Sequence, residues 1–233
     1  MARTIVALYD DLTMAQHVVN DLMNAGIPRD RISLVANDAT GQYGTYLQTK
    51  HPGDHIDAGE GTVFGASVGA LTGILVSLGT LAIPGIGPVI AAGPLVAGLT
   101  GALTGAVAGG ATGGIVGALI DASVPEADAR RYAEGVRRGG TLVSVQATSQ
   151  EAPQVEEILH RHNPVDVERR ATYWREAGWK NFDETSHPYP ADDIARERQQ
   201  YTNYDEKSPT QLSGTSANTR VRSYESEDRP ANV

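Results

Sequence analysis

Thr4-Ile5-Val6-Ala7-Leu8 and Thr141-Leu142-Val143-Ser144-Val145 are two β-branched runs that match each other at an offset of 137 residues. Short runs of this composition are typical of buried β-strands. The match continues downstream with apolar residues at helical spacing: Ala15, Val18 and Leu22 recur as Ala152, Val155 and Leu159. The two flanks of the chain therefore carry the same strand-helix pattern.

Each half then turns, at Gly26-Ile27-Pro28 and at Asn163-Pro164, into a second predicted strand. We expect one four-stranded sheet built from residues 4–9, 31–36, 141–146 and 165–169, with helices over 12–25 and 151–162 on one of its faces. Two βαβ units in one chain are typical of a ferredoxin-like α/β sandwich, an α+β fold. The sequence thus predicts a discontinuous domain over residues 1–37 and 121–172, and a doubly wound sheet is the alternative.

The block between the halves, residues 61–120, contains no Asp, Glu, Lys, Arg or His. Glycine recurs there at every fourth position in two series, and each series would form a stripe along one face of a helix. The series are Gly61, Gly65, Gly69 and Gly73, followed by Gly101, Gly105, Gly109, Gly113 and Gly117. Such stripes are typical of a glycine zipper, in which helix backbones pack closely. We therefore expect helices over 62–83 and 94–120, joined by a turn at 84–88 into an antiparallel hairpin that drives homo-oligomerisation.

The lengths of these two helices leave two hypotheses open. At about 1.5 Å per residue they would extend roughly 33 and 40 Å, enough to cross a hydrocarbon core about 30 Å thick. The main hypothesis is a membrane-associated oligomer with cytoplasmic termini, in which the α/β domain is a scaffold or sensor. The alternative is a soluble, cytoplasmic module that self-assembles or binds a partner, with the hairpin buried in the assembly. The apolar run before Asp10 is too short for a secretory signal, so we expect a cytoplasmic start to the chain.

The remaining segments differ in composition from both units. Residues 38–60 show no clear period and are expected to form a linker loop. Residues 173–206 concentrate the aromatic side chains, which favours an arm that docks on a surface of this chain or of a partner through Tyr173, Trp174, Trp179 and Phe182. Residues 207–233 are polar and are expected to be disordered.

Composition argues against several classes of function. The formal net charge of −9 gives no electrostatic attraction for nucleic acid, and the absence of cysteine removes thiolate chemistry. Ser67 lies in a G-x-S-x-G pattern, but inside the predicted zipper rather than on a strand-to-helix turn. His51 and His55 flank Pro52-Gly53, so a solvated loop is favoured over a metal site. We expect no catalytic, cofactor-binding or metal-binding residues, and the sequence identifies no small-molecule substrate.

Four further stretches carry a family resemblance: the opening Thr4-Ile-Val-Ala-Leu-Tyr-Asp-Asp11, Ile32-Ser-Leu-Val-Ala-Asn-Asp38, Ala82-Ile-Pro-Gly-Ile-Gly-Pro-Val-Ile-Ala-Ala-Gly-Pro94, and Tyr132-Ala-Glu-Gly-Val-Arg-Arg-Gly-Gly140. Together they resemble the bacterial general stress proteins of the heat-induced YflT type over roughly residues 4–179. The resemblance implies an α/β domain interrupted by a glycine-rich hairpin and a stress-linked role. It carries over no catalytic residues.

Overall fold

The computed structural model describes residues 2–41, 79–103, 114–207 and 220–225. These residues form one six-stranded sheet, and every neighbouring pair of strands is antiparallel. The strands are β1 (Ala2–Tyr9), β2 (Ile32–Asn37), β3 (Gly79–Ile83), β4 (Gly87–Ala92), β5 (Thr141–Thr148) and β6 (Val221–Glu225). Their order across the sheet is β3-β4-β2-β5-β1-β6.

Seven α-helices lie in the described ranges, together with a 3-10 turn at Arg29–Arg31. They are α1 (Leu12–Asn24), α2 (Leu95–Leu103), α3 (Gly114–Asp121), α4 (Glu126–Arg137), α5 (Ala152–Arg161), α6 (Val167–Glu176) and α7 (Ala191–Lys207). The fold is therefore α+β, with helices on both faces of the sheet.

The duplicated pattern places its two strands side by side. β1 pairs with β5, with Thr4 opposite Gln146 and Tyr9 opposite Thr141. α1 and α5 bury their apolar residues against one face of this pair and of β2, as the offset repeat predicts. The Asp11 side chain caps α1 by accepting a hydrogen bond of 2.9 Å from the Met14 backbone N–H. Three of the four predicted strands and both predicted helices are confirmed.

The fourth predicted strand, residues 165–169, is wrong. Val165 donates one backbone hydrogen bond of 2.8 Å to the Leu8 carbonyl of β1, and the chain then turns into α6. The turn occurs because the Asp166 side chain caps α6 by accepting from the Arg169 N–H at 3.0 Å. The edge of β1 is instead occupied by β6, so the expected disorder of residues 207–233 is wrong for Val221–Glu225.

The predicted helix over residues 62–83 is also wrong at its described end. Residues Gly79–Ile83 are β3, which forms a β-hairpin with β4. The turn predicted at 84–88 is present and depends on Gly85 and Gly87, which have φ of +74° and +97°. Leu81 and Ile83 pack on the core side, whereas Thr80 and Ala82, which alternate with them, are exposed, as in a half-buried strand.

A single helix over residues 94–120 is excluded by a contact between its two ends. Residues 98 and 118 would be about 30 Å apart along one helix, at about 1.5 Å per residue. Instead α2 and α3 pack side by side, so closely that a Cβ on Gly98 would lie 2.8 Å from the Ala118 Cβ. α3 begins at Gly114, whose φ of +66° is incompatible with a helix continuing through it. The helical hairpin of residues 61–120 is therefore replaced, where the structure describes it, by a β-hairpin and two short helices.

The second face of the sheet is covered by α2, α3 and α4. Leu95, Leu99, Ile115 and Leu119 are buried there against side chains from the strands, such as Val35. Within the described ranges, no helix combines the length and the apolar character needed to span a bilayer.

Candidate functional site

The structure separates the glycines of the predicted zipper. Gly101 lies in α2 and Gly117 in α3, so these two members of one predicted stripe are on different helices. The other predicted packing glycines lie outside the described residues: Gly61, Gly65, Gly69, Gly73, Gly105, Gly109 and Gly113. The prediction that the series from Gly101 to Gly117 forms one stripe along a single helix is therefore wrong.

Close helix packing does occur in the block, at a glycine of neither series. Besides the Ala118 Cβ, a Cβ on Gly98 would lie 3.0 Å from the Ala118 Cα. No ordinary Cβ approaches another atom so closely, so the contact of α2 with α3 needs glycine at position 98. Sequence spacing missed Gly98 because the relevant partner is a second helix whose position is set by the sheet.

One edge of the sheet is open in the described structure. β3 pairs with β4 on one side, and no described strand pairs with its other side. Its sequence, Gly-Thr-Leu-Ala-Ile, contains no charged residue and no proline, and Thr80 and Ala82 are exposed. Natural edge strands usually carry charges, proline or a bulge that prevent pairing with another chain. β3 has none of these protections and is continuous with the uncharged residues 61–78.

The predicted aromatic arm lies against its own domain. Trp174 of α6 and Phe182 are buried, at 1% and 3% exposure, and Phe182 joins the core on the second face of the sheet. Trp179 packs edge-on against Trp174, with ring centroids 5.7 Å apart. Tyr173 packs against Tyr201 and Tyr204 of α7. All four side chains thus pack within the same chain, and Tyr173 joins α6 to α7.

A fully buried carboxylate anchors this docking. Glu134 of α4 has no exposed side-chain area and accepts hydrogen bonds from Arg138 at 2.5 Å and Arg137 at 3.5 Å. Arg138 also bonds Glu197 of α7 at 2.5 Å, and its guanidinium lies 5.0 Å from the Trp174 ring centroid. Burial alone lowers the pKa of Arg138, but the two carboxylates outweigh it and raise the pKa above its ordinary value. Arg138 remains charged and links α4 to α7.

A second charged cluster holds β6 to the domain. Asp128 of α4 accepts hydrogen bonds from Arg222 at 2.5 Å, Arg131 at 2.6 Å and the Tyr224 hydroxyl at 2.9 Å. Arg222 also reaches Glu168 of α6 at 3.3 Å. Burial raises the pKa of Tyr224 well above its ordinary value, and the neighbouring Tyr132 and Asp128 raise it further. The hydroxyl therefore stays protonated and donates to Asp128.

Neither charged cluster is evident from the sequence. Glu134 and Arg138 have the i, i+4 spacing of an ordinary surface pair, and only the fold shows that they are buried. The signal for β6 was present as a short period of two, with Val221 on one side and Arg222 and Tyr224 on the other. A five-residue alternation in a polar tail is too short to predict a strand by itself.

Two of the cavities among the described residues have volumes of about 210 and 200 Å³. The larger is lined by Asp11, Asn37 and Arg198, among others. These polar groups hold the fold: Asp11 caps α1, Asn37 donates to the Val136 carbonyl at 3.1 Å, and Arg198 donates to the Gly139 carbonyl at 2.6 Å. No cluster of three or more His, Asp or Glu residues that could hold a metal occurs among the described residues. His51 and His55 lie outside them.

Comparisons with protein-family models, with curated proteins and with solved structures found no significant match to this chain.

Proposed function

We propose that this chain is a non-enzymatic, self-assembling module in which the α+β domain presents an uncharged, glycine-rich block to other copies of the chain. A stress-linked role, implied by the resemblance of four sequence stretches to the YflT type, belongs to the same proposal. This is the soluble alternative of the two hypotheses. The membrane hypothesis required long helices over 62–83 and 94–120, whereas the described parts of these ranges contain β3, α2 and α3.

The proposed architecture of the domain is a ferredoxin-like core with an insertion. In this proposal β1-α1-β2 is one βαβ unit, and β5, α5 and β6 form the other, with α6 and α7 inserted between α5 and β6. The four strands share one antiparallel sheet, and α1 and α5 lie on the same face. The block between the units then supplies β3 and β4, which widen the sheet beyond β2. The insertion thus extends the domain at a sheet edge, where contact with another chain is possible.

The observation that carries the proposal is the uncharged outer edge of β3, with which no strand of the described ranges pairs. An unpaired edge strand presents backbone N–H and C=O groups that another strand can bond. Two copies can pair β3 with β3 in antiparallel fashion about a two-fold axis, because such an interface is self-complementary. The exposed side chains, Thr80 and Ala82, offer neither repulsion between charges nor bulk to prevent it.

A charge on this edge should weaken the association. In Ala82→Lys, the two-fold pairing would bring like charges from both copies close together, which is unfavourable for cross-strand neighbours. We expect the dissociation constant of the assembly to rise about tenfold or more, equivalent to about 1.4 kcal/mol. Sedimentation velocity over a concentration series measures this constant directly.

Met14→Lys is the matched control. Met14 is an exposed apolar residue on α1, 42% accessible, and its replacement adds the same single positive charge away from β3. Its assembly should equal that of the parent. Equal association of the Ala82→Lys protein and the parent would contradict the proposal. So would a parent that is monomeric in buffer yet floats with phosphatidylcholine vesicles, because that result supports the membrane hypothesis.

A further inference from the structure

β6 is a short strand supplied by the C-terminal part of the chain. Its five residues lie between residues 208–219 and 226–233, which the structure does not describe. It runs antiparallel to β1, with Arg3 opposite Glu225 and Ala7 opposite Val221. Residues 208–219 contain one large apolar residue, Leu212, and are otherwise small or polar. Twelve residues span at most about 40 Å, which is the upper limit on the distance that this segment can bridge.

The site that receives β6 distinguishes the two faces of the strand. On one face, Val221 is 2% exposed and enters the core formed with α1 and α5. On the other face, Arg222 and Tyr224 both bond Asp128. At the end of the strand, Arg3 and Glu225 pair at 2.5 Å. The site therefore selects an apolar residue followed by arginine and, two positions further, tyrosine.

The acidic part of this site is positioned by groups outside β6. Arg131 contacts both Asp128, at 2.6 Å, and Glu168, at 3.1 Å. Arg175 holds a second oxygen of Glu168 at 3.3 Å. These contacts tie α4 to α6 and involve no residue of β6. The receiving site is thus preorganised, which lowers the cost of binding a strand from elsewhere.

We propose that the edge of β1, with Asp128 and Glu168, is a strand-receiving site that is filled by β6 of a second copy of the chain. The contacts of β6 with the other described residues are made to β1 and to helices distant in sequence, so a strand from another copy can reproduce them. The exchange therefore keeps these described contacts, and chain concentration sets its extent. This proposal goes beyond assembly through β3, since the two edges lie on opposite sides of the sheet.

Cysteine crosslinking tests the exchange directly, because the natural chain contains no cysteine. Arg3 and Glu225 are directly opposite in register, and Cβ atoms of such pairs lie about 4.5–5.5 Å apart, close to disulfide geometry. Full-length Arg3→Cys and Glu225→Cys proteins are mixed under mild oxidation and separated on a non-reducing gel. We expect a covalent dimer containing one chain of each kind, identified by a mass tag on one of them.

The control mixture contains Met14→Cys and Glu225→Cys, in which the first thiol is exposed on α1 and remote from the β1 edge. It should give only the collisional background. Adding Asp128→Asn to the Arg3→Cys chain should reduce the specific crosslink about tenfold, the ratio expected from weakening charge-assisted hydrogen bonds. The proposal is overturned if the mixed proteins crosslink no more than the control, or if an Arg3→Cys/Glu225→Cys double variant closes only within its own chain.

The same mixture prepared with Ala82→Lys in both chains separates this proposal from assembly through β3. Crosslinking that survives this substitution supports exchange whatever the outcome at β3. If the Ala82→Lys substitution abolishes crosslinking, the contact at β1 depends on pairing through β3. That result would overturn exchange as an independent interaction.

Discussion

At the scale of single residues, Glu134 is notable because its carboxylate is fully buried. A buried carboxylate is costly to desolvate, and good hydrogen-bond geometry is needed to offset that cost. Arg138 supplies most of that compensation, since it lies 1 Å closer to Glu134 than Arg137 does. Arg138 in turn stacks near Trp174 and bonds Glu197. One arginine thereby couples a buried charge on α4 to the docking of α6 and α7.

Removal of this arginine should be far more damaging than removal of an exposed one. Arg138→Met leaves Glu134 buried with one weak partner, and we expect a loss of about 3–5 kcal/mol in the free energy of unfolding. Arg161→Met is the matched control, because Arg161 and Glu157 form an i, i+4 pair that is mostly exposed. It should cost about 0.3–0.5 kcal/mol. Urea denaturation measures both, and similar losses in the two variants would contradict the role assigned to Arg138.

At the scale of elements, the junction between β5 and α5 is held by one carboxylate. Glu151 accepts hydrogen bonds from the Thr148 backbone N–H at 2.8 Å and from Arg31 at 2.9 Å. Arg31 ends the 3-10 turn that leads into β2. Glu151 therefore links the entry of β2 to the entry of α5. Its pKa is lowered to about 2 by the Thr148 N–H first, and by Arg31 next.

The sign of this shift predicts a dependence of stability on pH. Because the folded-state pKa lies below the ordinary value of 4.5, the ionised carboxylate stabilises the fold above that pH. This contribution is lost as the pH falls from about 4.5 toward 2. Glu151→Gln should therefore be less stable than the parent at pH 6 and should lose less stability on acidification. Urea midpoints from pH 6 to pH 3 measure the difference.

Glu157→Gln provides the comparison, since it removes a mostly exposed carboxylate from the same helix. Its stability should fall with acidification as steeply as that of the parent. A Glu151→Gln protein with the parent's slope would show that the β5-α5 junction does not depend on the ionised form.

At the scale of the whole molecule, the glycine-rich block is attached to the sheet rather than separate from it. β3 and β4 extend the sheet beyond β2, and α2 and α3 cover its second face. Gly93 shows how tight the attachment is: a Cβ there would lie 2.1 Å from the Ile32 carbonyl oxygen. The first glycine series, Gly61 to Gly73, lies outside the described residues and leads directly into β3.

Bulk on that first series should disrupt association of the whole chain. Gly69→Leu would place a large side chain on the predicted stripe and block close approach of another backbone. Thr72→Leu introduces the same side chain off the stripe and should be much milder. We expect the assembled species to be lost in the first variant and retained in the second, as measured by sedimentation in buffer and in detergent. Parent-like assembly of the Gly69→Leu protein in both media would contradict a packing role for this series.

The sequence alone determined the duplicated half of the fold. The runs beginning at Thr4 and Thr141 and the helices that follow them repeat strongly enough to predict their type, and burial on both faces explains why the strands are continuously apolar. The turn at 84–88 was also predictable, because Gly85 and Gly87 adopt positive φ there. These features depend on local sequence, so they can be predicted without knowing which distant segments pack against them.

Only the tertiary structure decided the elements whose partners are distant in sequence. Residues 79–83 fit a helix as well as a strand by composition, and pairing with β4 selects the strand. Val221–Glu225 becomes β6 only because β1 offers an edge and Asp128 binds both Arg222 and Tyr224. Nothing in the sequence distinguishes Gly98 from the other glycines of the block, because its role depends on the packing of α3 against it. In each case the deciding energy comes from non-local contacts, which a short local pattern does not encode.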